Sequence, residues 1–261
     1  PDGGTGERAA ALGRRFVVGT ALLGAGNSAV SVLNLAIGIL LARWLGPDEF
    51  GLFAFVVAIV ELLGIFGAFS FGVALIQARE PSQRLYDTAF ASYVALGFAM
   101  VLVAAGLSFV LASARGPEAA TFLIVLVLGR WVRLTAQVPQ AKLERTLRYD
   151  LVTRNAVLAS GLPNLAALGL AWVGMGAWAL VARDVLVSAL VFGLETATSG
   201  YRFRGDVGRD AFARLMSFAK PMFVARTIDL LVERVDRVAV GSFLGNAAAG
   251  LLIDGLPAGR S

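Results

Sequence analysis

Leu45-Gly46-Pro47-Asp48-Glu49-Phe50-Gly51-Leu52 closes the first long apolar segment of this chain, and Leu244-Gly245-Asn246-Ala247-Ala248-Ala249-Gly250-Leu251 closes the last. The two octets share four identities and lie 199 residues apart, each at the end of a segment of helical length. Self-similarity at matched positions marks an internal repeat. In membrane transporters such repeats form two related halves with a site between them. The fold expected is therefore all-α: a polytopic transmembrane helix bundle, comprising the N-terminal six-helix lobe of a two-lobe protein and the first helix of the second lobe.

Composition agrees. The chain is 57% hydrophobic, with a mean hydropathy of +0.75, above the roughly 45–50% apolar share of soluble domains. It contains no Cys and no His. A disulfide framework, His/Cys metal sites and His-based acid–base chemistry are thereby excluded. The net charge of +5 and pI near 10.2 do not point to nucleic acid. The positive charges sit in short loops between apolar runs, as in membrane proteins.

Six segments are long enough to span a bilayer, which takes about 20 residues each. They lie at about 16–42, 50–76, 88–112, 119–138, 152–172 and 176–198. A seventh, about 215–243, has spanning length but is heavily charged. Thirteen Lys and Arg fall before the first span and in alternate loops: Arg8, Arg14 and Arg15; Arg79 and Arg84; Lys142, Arg145, Arg148 and Arg154; Arg202, Arg204, Arg209 and Arg214. The opposite loops hold only Arg43 and Arg115. The positive-inside rule then places the N-terminus and the basic loops in the cytoplasm. Gly46-Pro47-Asp48, Glu80-Pro81-Ser82, Arg115-Gly116-Pro117-Glu118 and Gly174-Met175-Gly176 mark breaks between helices. Pro163 and Pro221 are expected to kink theirs.

The organisation expected is a cytoplasmic segment 1–15, a six-span lobe 16–198, a basic inter-lobe loop 199–214, the opening helix of a truncated second lobe at 215–251, and an aberrant tail 252–261. The tail has no apolar period where a further span is due, which reads as a truncated or frame-shifted end.

Polar residues inside the spans supply the candidate site. Gly24, Asn27, Ser31, Asn34 and Gly38 recur at spacings of 3, 4, 3 and 4 and share one helical face. Arg226, Asp229, Glu233 and Asp236 do the same in the seventh segment, and the repeat offset maps Asn27 onto Arg226 and Asn34 onto Glu233. Both faces are expected to line one central cavity. A packing face with Asn hydrogen-bonded across helices is the alternative for the first. Intramembrane ionisable residues are functional candidates. Arg130 and Arg133, one turn apart, suit the oxygens of an anionic headgroup, or else snorkel to the interface or pair with Glu61. Arg237 joins the cavity candidates. Glu61, Asp229, Glu233 and Asp236 are candidates for coupling protons or Na⁺, or for balancing the arginines. Arg183 and Asp184, being adjacent, are not expected to face each other. No P-loop or other enzyme motif is present, and no cofactor or metal is expected.

Four stretches carry a family resemblance. Ile39-Leu40-Leu41-Ala42-Arg43-Trp44-Leu45-Gly46-Pro47-Asp48-Glu49-Phe50-Gly51-Leu52-Phe53 is similar to the first-loop pattern of Wzx-like oligosaccharide flippases, the polysaccharide transporter family of the multidrug/oligosaccharidyl-lipid/polysaccharide exporter superfamily. Phe71-Gly72-Val73-Ala74-Leu75-Ile76-Gln77 resembles the end of that family's second helix. Gly174-Met175-Gly176-Ala177-Trp178-Ala179-Leu180-Val181 resembles its fifth-to-sixth hairpin. Val235-Asp236-Arg237-Val238-Ala239-Val240-Gly241-Ser242-Phe243-Leu244-Gly245 resembles the start of its second lobe, where an Asp is usual. The resemblance implies two six-helix lobes around a cationic cavity that works by alternating access. It implies a bacterial inner-membrane location and an undecaprenyl-diphosphate-linked oligosaccharide as cargo, with the bilayer, glycan polymerases and glycosyltransferases as partners. A drug or cation antiporter of the same superfamily, a membrane glycan ligase or polymerase, and a nonfunctional fragment are the competing readings.

Overall fold

The computed structural model describes Gly24, Ser28, residues 30–225 and Ile228, and every regular element among them is helical. In chain order these are α1 (Val30–Leu45), α2 (Pro47–Leu63), a 3-10 turn (Gly64–Phe69), α3 (Phe71–Gln77), α4 (Gln83–Arg115), α5 (Pro117–Thr135), α6 (Gln137–Arg145), α7 (Tyr149–Trp172) and α8 (Trp178–Ser199). A loop over 200–208 leads to α9 (209–225). The punctuation read from the sequence sets the boundaries. Gly46 (φ 81°) and Gly116 (φ 94°) adopt backbone unfavourable to other residues, and each is followed by a proline at the first helical position. The Ser82 hydroxyl accepts from Leu85 N–H at 3.3 Å and caps α4. Helices α7 and α9 continue through Pro163 and Pro221.

The second expected span, 50–76, is not one helix. It gives way at Gly64 to the 3-10 turn, passes through Ser70 in the left-handed region (φ 47°, ψ 43°) and restarts at Phe71. Gly64 and Gly67 weaken the helix there. The restart is held from outside, because Gly72 N–H donates to the Tyr93 hydroxyl at 3.0 Å. That hydroxyl donates in turn to Gln137 Oε1 at 2.9 Å. One of the unpaired N–H groups of the new helix is thus satisfied by α4, and α6 is tied to the same point.

Helix α4 has 33 residues and at 1.5 Å per residue is about 50 Å long, ample for a hydrocarbon core of about 30 Å. Its most apolar stretch has a mean hydropathy of 2.5 yet is only 22% buried. Phe98, Leu102, Phe109 and Val110 face outward. A water-soluble bundle turns its apolar stripe inward, so an outward apolar face of this extent calls for lipid. The continuous helix Pro117–Arg145 also has the length and apolarity to cross a bilayer, and these two are the helices that do so among the described residues. The expected span 50–76 is interrupted, 16–42 lies partly outside the described residues, and α8 carries Arg183, Asp184 and Glu195. Where α4 and α5 meet, Gly97 seats Trp131 so closely that any side chain there would overlap the indole.

The basic loops gather at one end of the bundle, as the alternation of charge requires. Arg145 donates to the backbone oxygens of Ile76, Ala78 and Arg79, capping the end of α3. Lys142 reaches the Gly200 oxygen at 3.2 Å. Gln83 reaches that of Arg202 at 2.9 Å, and Arg84 pairs with Asp210 at 2.9 Å. At the opposite end the Arg115 guanidinium lies 4.7 Å above the Phe55 ring, and Gly176 packs against the Glu49 carboxylate.

Asp87 fixes the 200–208 loop. Fully buried, it accepts from Tyr201 Oη at 3.1 Å, from the backbone N–H of Arg204 and Asp206 at 3.0 and 3.1 Å, and from Gln83 Nε2 at 2.8 Å. Burial, and then the Asp87 carboxylate, push the Tyr201 hydroxyl above its usual range, so it stays a donor. Asp87→Ala strips three buried or half-buried donors from the loop and is expected to cost about 2–4 kcal/mol. Trypsin should then cut at Arg202 or Arg204 in the variant while sparing the wild type. Equal resistance would mean that the loop is held by other contacts.

Candidate functional site

Two polar clusters meet at α8, which carries Arg183 and Asp184 side by side. Successive helical residues diverge by about 100°, so the pair serves two different seams. Arg183 turns toward α7 and α1. Its Nε donates to Asn164 Oδ1 at 2.6 Å and its Nη2 to Asn34 Oδ1 at 2.9 Å. Asn164 Nδ2 also donates to Asn34 Oδ1 at 2.9 Å. Asn164 is fully buried, and the Arg183 side chain is 16% exposed. A buried guanidinium survives only with its donors matched, and here two amides match two of them.

Asp184 turns toward α2 and α5. With Val57, Val60, Glu61, Leu126, Arg130, Arg133, Val187 and Ser188 it lines a recess of about 190 Å³. Arg130 Nη2 lies 3.7 Å from Glu61 Oε2. Gly129 lets the α8 backbone at Val185 approach α5 closely, and Gly64 leaves room for the Arg130 guanidinium. Arg183 Nη1 comes within 3.8 Å of Asp184 Oδ1. The two residues do interact, contrary to the expectation from adjacency, because the arginine side chain is long enough to span the angle between them. A polar chain therefore runs from Asn34 through Asn164, Arg183 and Asp184 to the recess.

Among the described candidates, Arg130 and Glu61 pair with each other, the structural alternative raised from the sequence. Asn34 takes the cross-helix role, and its partners are on α7 and α8. A side chain at Gly24 or Gly38 would meet no described neighbour, so these two glycines do not make a close-packed face there. Arg133 lines the recess with no carboxylate within salt-bridge distance among the described residues. Counted over Glu61, Asp184, Arg130, Arg133 and Arg183, the site carries one net positive charge. Asn27, Arg226, Asp229, Glu233, Asp236 and Arg237 lie outside the described residues. Asn164 escaped the sequence reading. Its signal was an amide directly after Pro163 in an otherwise apolar stretch.

A sequence profile for the family described as "Polysaccharide biosynthesis protein" matches residues 40–255. The chain belongs to this family. The matched range includes every recess residue and both Asn164 and Arg183, though not Asn34. The chain is also similar to the succinoglycan biosynthesis transport protein ExoT of Rhizobium meliloti (strain 1021), at 28% identity over 214 residues. That alignment covers 81% of this chain and 43% of the relative, so the chain spans less than half of the relative's length. No solved structure matches. Family, relative and outward apolar helices together make this polysaccharide biosynthesis protein a membrane protein.

The two clusters should respond differently to mutation. Arg183→Met orphans the buried Asn164 Oδ1 and is expected to destabilise by about 2 kcal/mol. Arg130→Met breaks a pair whose Glu61 partner is more than half exposed, and should cost under about 1 kcal/mol. Thermal unfolding in detergent separates the two. Equal losses would refute the division into a structural knot and a ligand-facing recess.

Proposed function

We propose that this chain belongs to a transporter that moves a lipid-linked oligosaccharide, carried on undecaprenyl diphosphate, across the bacterial inner membrane by alternating access. The observation that carries the reading is Arg133, a cation facing the recess without a carboxylate in salt-bridge distance among the described residues, one turn from Arg130. Guanidinium groups bind phosphate oxygens through paired N–H donors. A diphosphate entering the recess would engage Arg133 first and compete with Glu61 for Arg130. The glycan would occupy hydrated space beside it, and the lipid would lie along the apolar outer faces of the bundle.

Topology follows from the charge alternation, with the basic end cytoplasmic. The relative's name, a succinoglycan transport protein, supports export of a polysaccharide or its precursor. Glycan polymerases and glycosyltransferases are the partners such cargo implies. A ligase or polymerase would need catalytic residues in a large outer loop. The α1–α2, α4–α5 and α7–α8 connections here are turns of a few residues.

Changing Arg130 and Arg133 together to Gln in the complete protein is expected to abolish binding of an undecaprenyl-diphosphate-linked sugar, measured in nanodiscs. Unchanged binding would leave both as structural residues and remove the cargo site from the recess.

A further inference from the structure

A second cavity, of about 450 Å³, lies between α4, the 3-10 turn, the start of α3 and α9, and shares no lining residue with the recess. Its size falls within the roughly 300–1,000 Å³ of small-molecule sites. Thr88, Ala91, Ser92 and Ala95 recur at spacings of 3, 1 and 3 and present one face of α4 to it. Their small side chains leave the groove open. Phe69 and Phe71, which also line it, stack with centroids 5.9 Å apart. Phe71 meets the Tyr93 ring edge-on at 5.3 Å, and the Phe223 ring of α9 lies 4.4 Å from Phe69. Ala95 and Phe212 are exposed, so the groove opens outward among the described residues.

Polarity is graded along it. Thr88, Gly208 and Arg209 line the groove toward the basic end, where α4 and α9 both begin. Leu96, Phe212 and Met216 line it farther along the same helices, and the rise from Thr88 to Leu96 makes that end about 12 Å deeper. The hydroxyls are already engaged. Thr88 Oγ1 donates to the Arg84 oxygen at 2.7 Å and accepts from Gly208 N–H at 3.2 Å, and Ser92 Oγ donates to the Thr88 oxygen at 2.7 Å. Neither keeps a proton for a sugar. Arg209 is the one charged residue of the lining. Its neighbours Asp206 and Asp210 both turn to Arg84, at 3.7 and 2.9 Å. No carboxylate is within salt-bridge distance of Arg209 among the described residues.

We propose that this groove binds an anionic phospholipid of the leaflet at the basic end, with one acyl chain along the aromatic and aliphatic lining and the headgroup phosphate on Arg209. A run of methylenes asks for no hydrogen bonds and a phosphate asks for a cation, in the order in which the groove supplies them. Basic pockets between membrane helices recognise anionic headgroups in this way. An extended protein segment would instead need partners for its backbone groups in the deep half, where the lining offers none. A lipid seated there packs against α4 and α9 at once and ties them together near the membrane surface. Neither Arg130 nor Arg133 lines the groove, so this site stands or falls apart from the cargo site.

The test uses the complete protein in phosphatidylcholine nanodiscs carrying a trace of phosphatidylglycerol, or of phosphatidylcholine, with a photoreactive acyl chain. Irradiation should label peptides covering 88–96 and 207–216, about fivefold more from the phosphatidylglycerol probe, the preference that one basic residue confers near a membrane surface. Arg209→Gln should equalise the two probes. Arg202→Gln, which changes an arginine outside the lining, should leave the preference intact. Ala95→Trp fills the groove and should abolish labelling by both. If that variant misfolds, Arg209→Gln decides, because Arg209 is exposed and its replacement leaves the packing alone. No labelling of these peptides would mean that another part of the protein covers the groove, and would overturn the proposal. Equal labelling by the two probes in wild type, or a preference lost equally in Arg202→Gln, would overturn the headgroup site at Arg209. Displacement of the phospholipid probe by an equimolar amount of undecaprenyl diphosphate would assign the groove to a polyprenyl lipid and overturn it as well.

Discussion

A guanidinium held between two amides is the constraint around which the bundle is arranged. Arg183 could not remain charged among apolar helices without acceptors at fixed positions, because unmatched N–H groups in hydrocarbon cost several kcal/mol each. Asn34 and Asn164 supply those acceptors from α1 and α7, so the register of three helices is set at one point. Association of helices in lipid has little hydrophobic drive, and packing and cross-helix hydrogen bonds take its place. Once Arg183 is fixed, its neighbour Asp184 must point into the seam with α2 and α5, where the recess forms.

The same economy governs the ends. At the basic end, side chains cap helices and loops: Arg145 closes α3, and Lys142 and the neutral Gln83 hold the 200–208 loop. Asp87 anchors that loop on α4. The path into α9 is therefore rigidly attached to the longest helix of the bundle. The α2–α3 interruption lies beside this anchor, tied by Tyr93 to α4 and α6. A helix broken in the membrane persists only where the bundle satisfies its free backbone groups, and here the Tyr93 hydroxyl does so for Gly72.

Much of this was legible in the chain. The helical class, the Gly-Pro boundaries at 46–47 and 116–117, the hairpin at 174–176 and the gathering of basic loops at one end all follow from local chemistry and charge alternation. The pairing of Arg130 with Glu61 was readable as one of two choices. The break at Gly64–Ser70 was not, because Tyr93, which supports the restart, is more than twenty residues away in sequence. Asn164 was missed for a related reason. A single amide or carboxylate in an apolar run gains meaning only from the residue opposite, and periodicity within one helix does not name that residue. The same limit misjudged Arg183 and Asp184, where side-chain length outweighed helical angle.

The native chain has no cysteine, so one introduced thiol reports without background. Val187 lines the recess, and the decisive measurement is labelling of Val187→Cys by a membrane-impermeant maleimide, with and without an undecaprenyl-diphosphate-linked sugar. The expected result is labelling from the aqueous phase that the diphosphate lipid suppresses and a diphosphate-free polyprenol does not. Labelling unaffected by the diphosphate lipid, or equal protection by both lipids, would contradict a diphosphate site at Arg130 and Arg133.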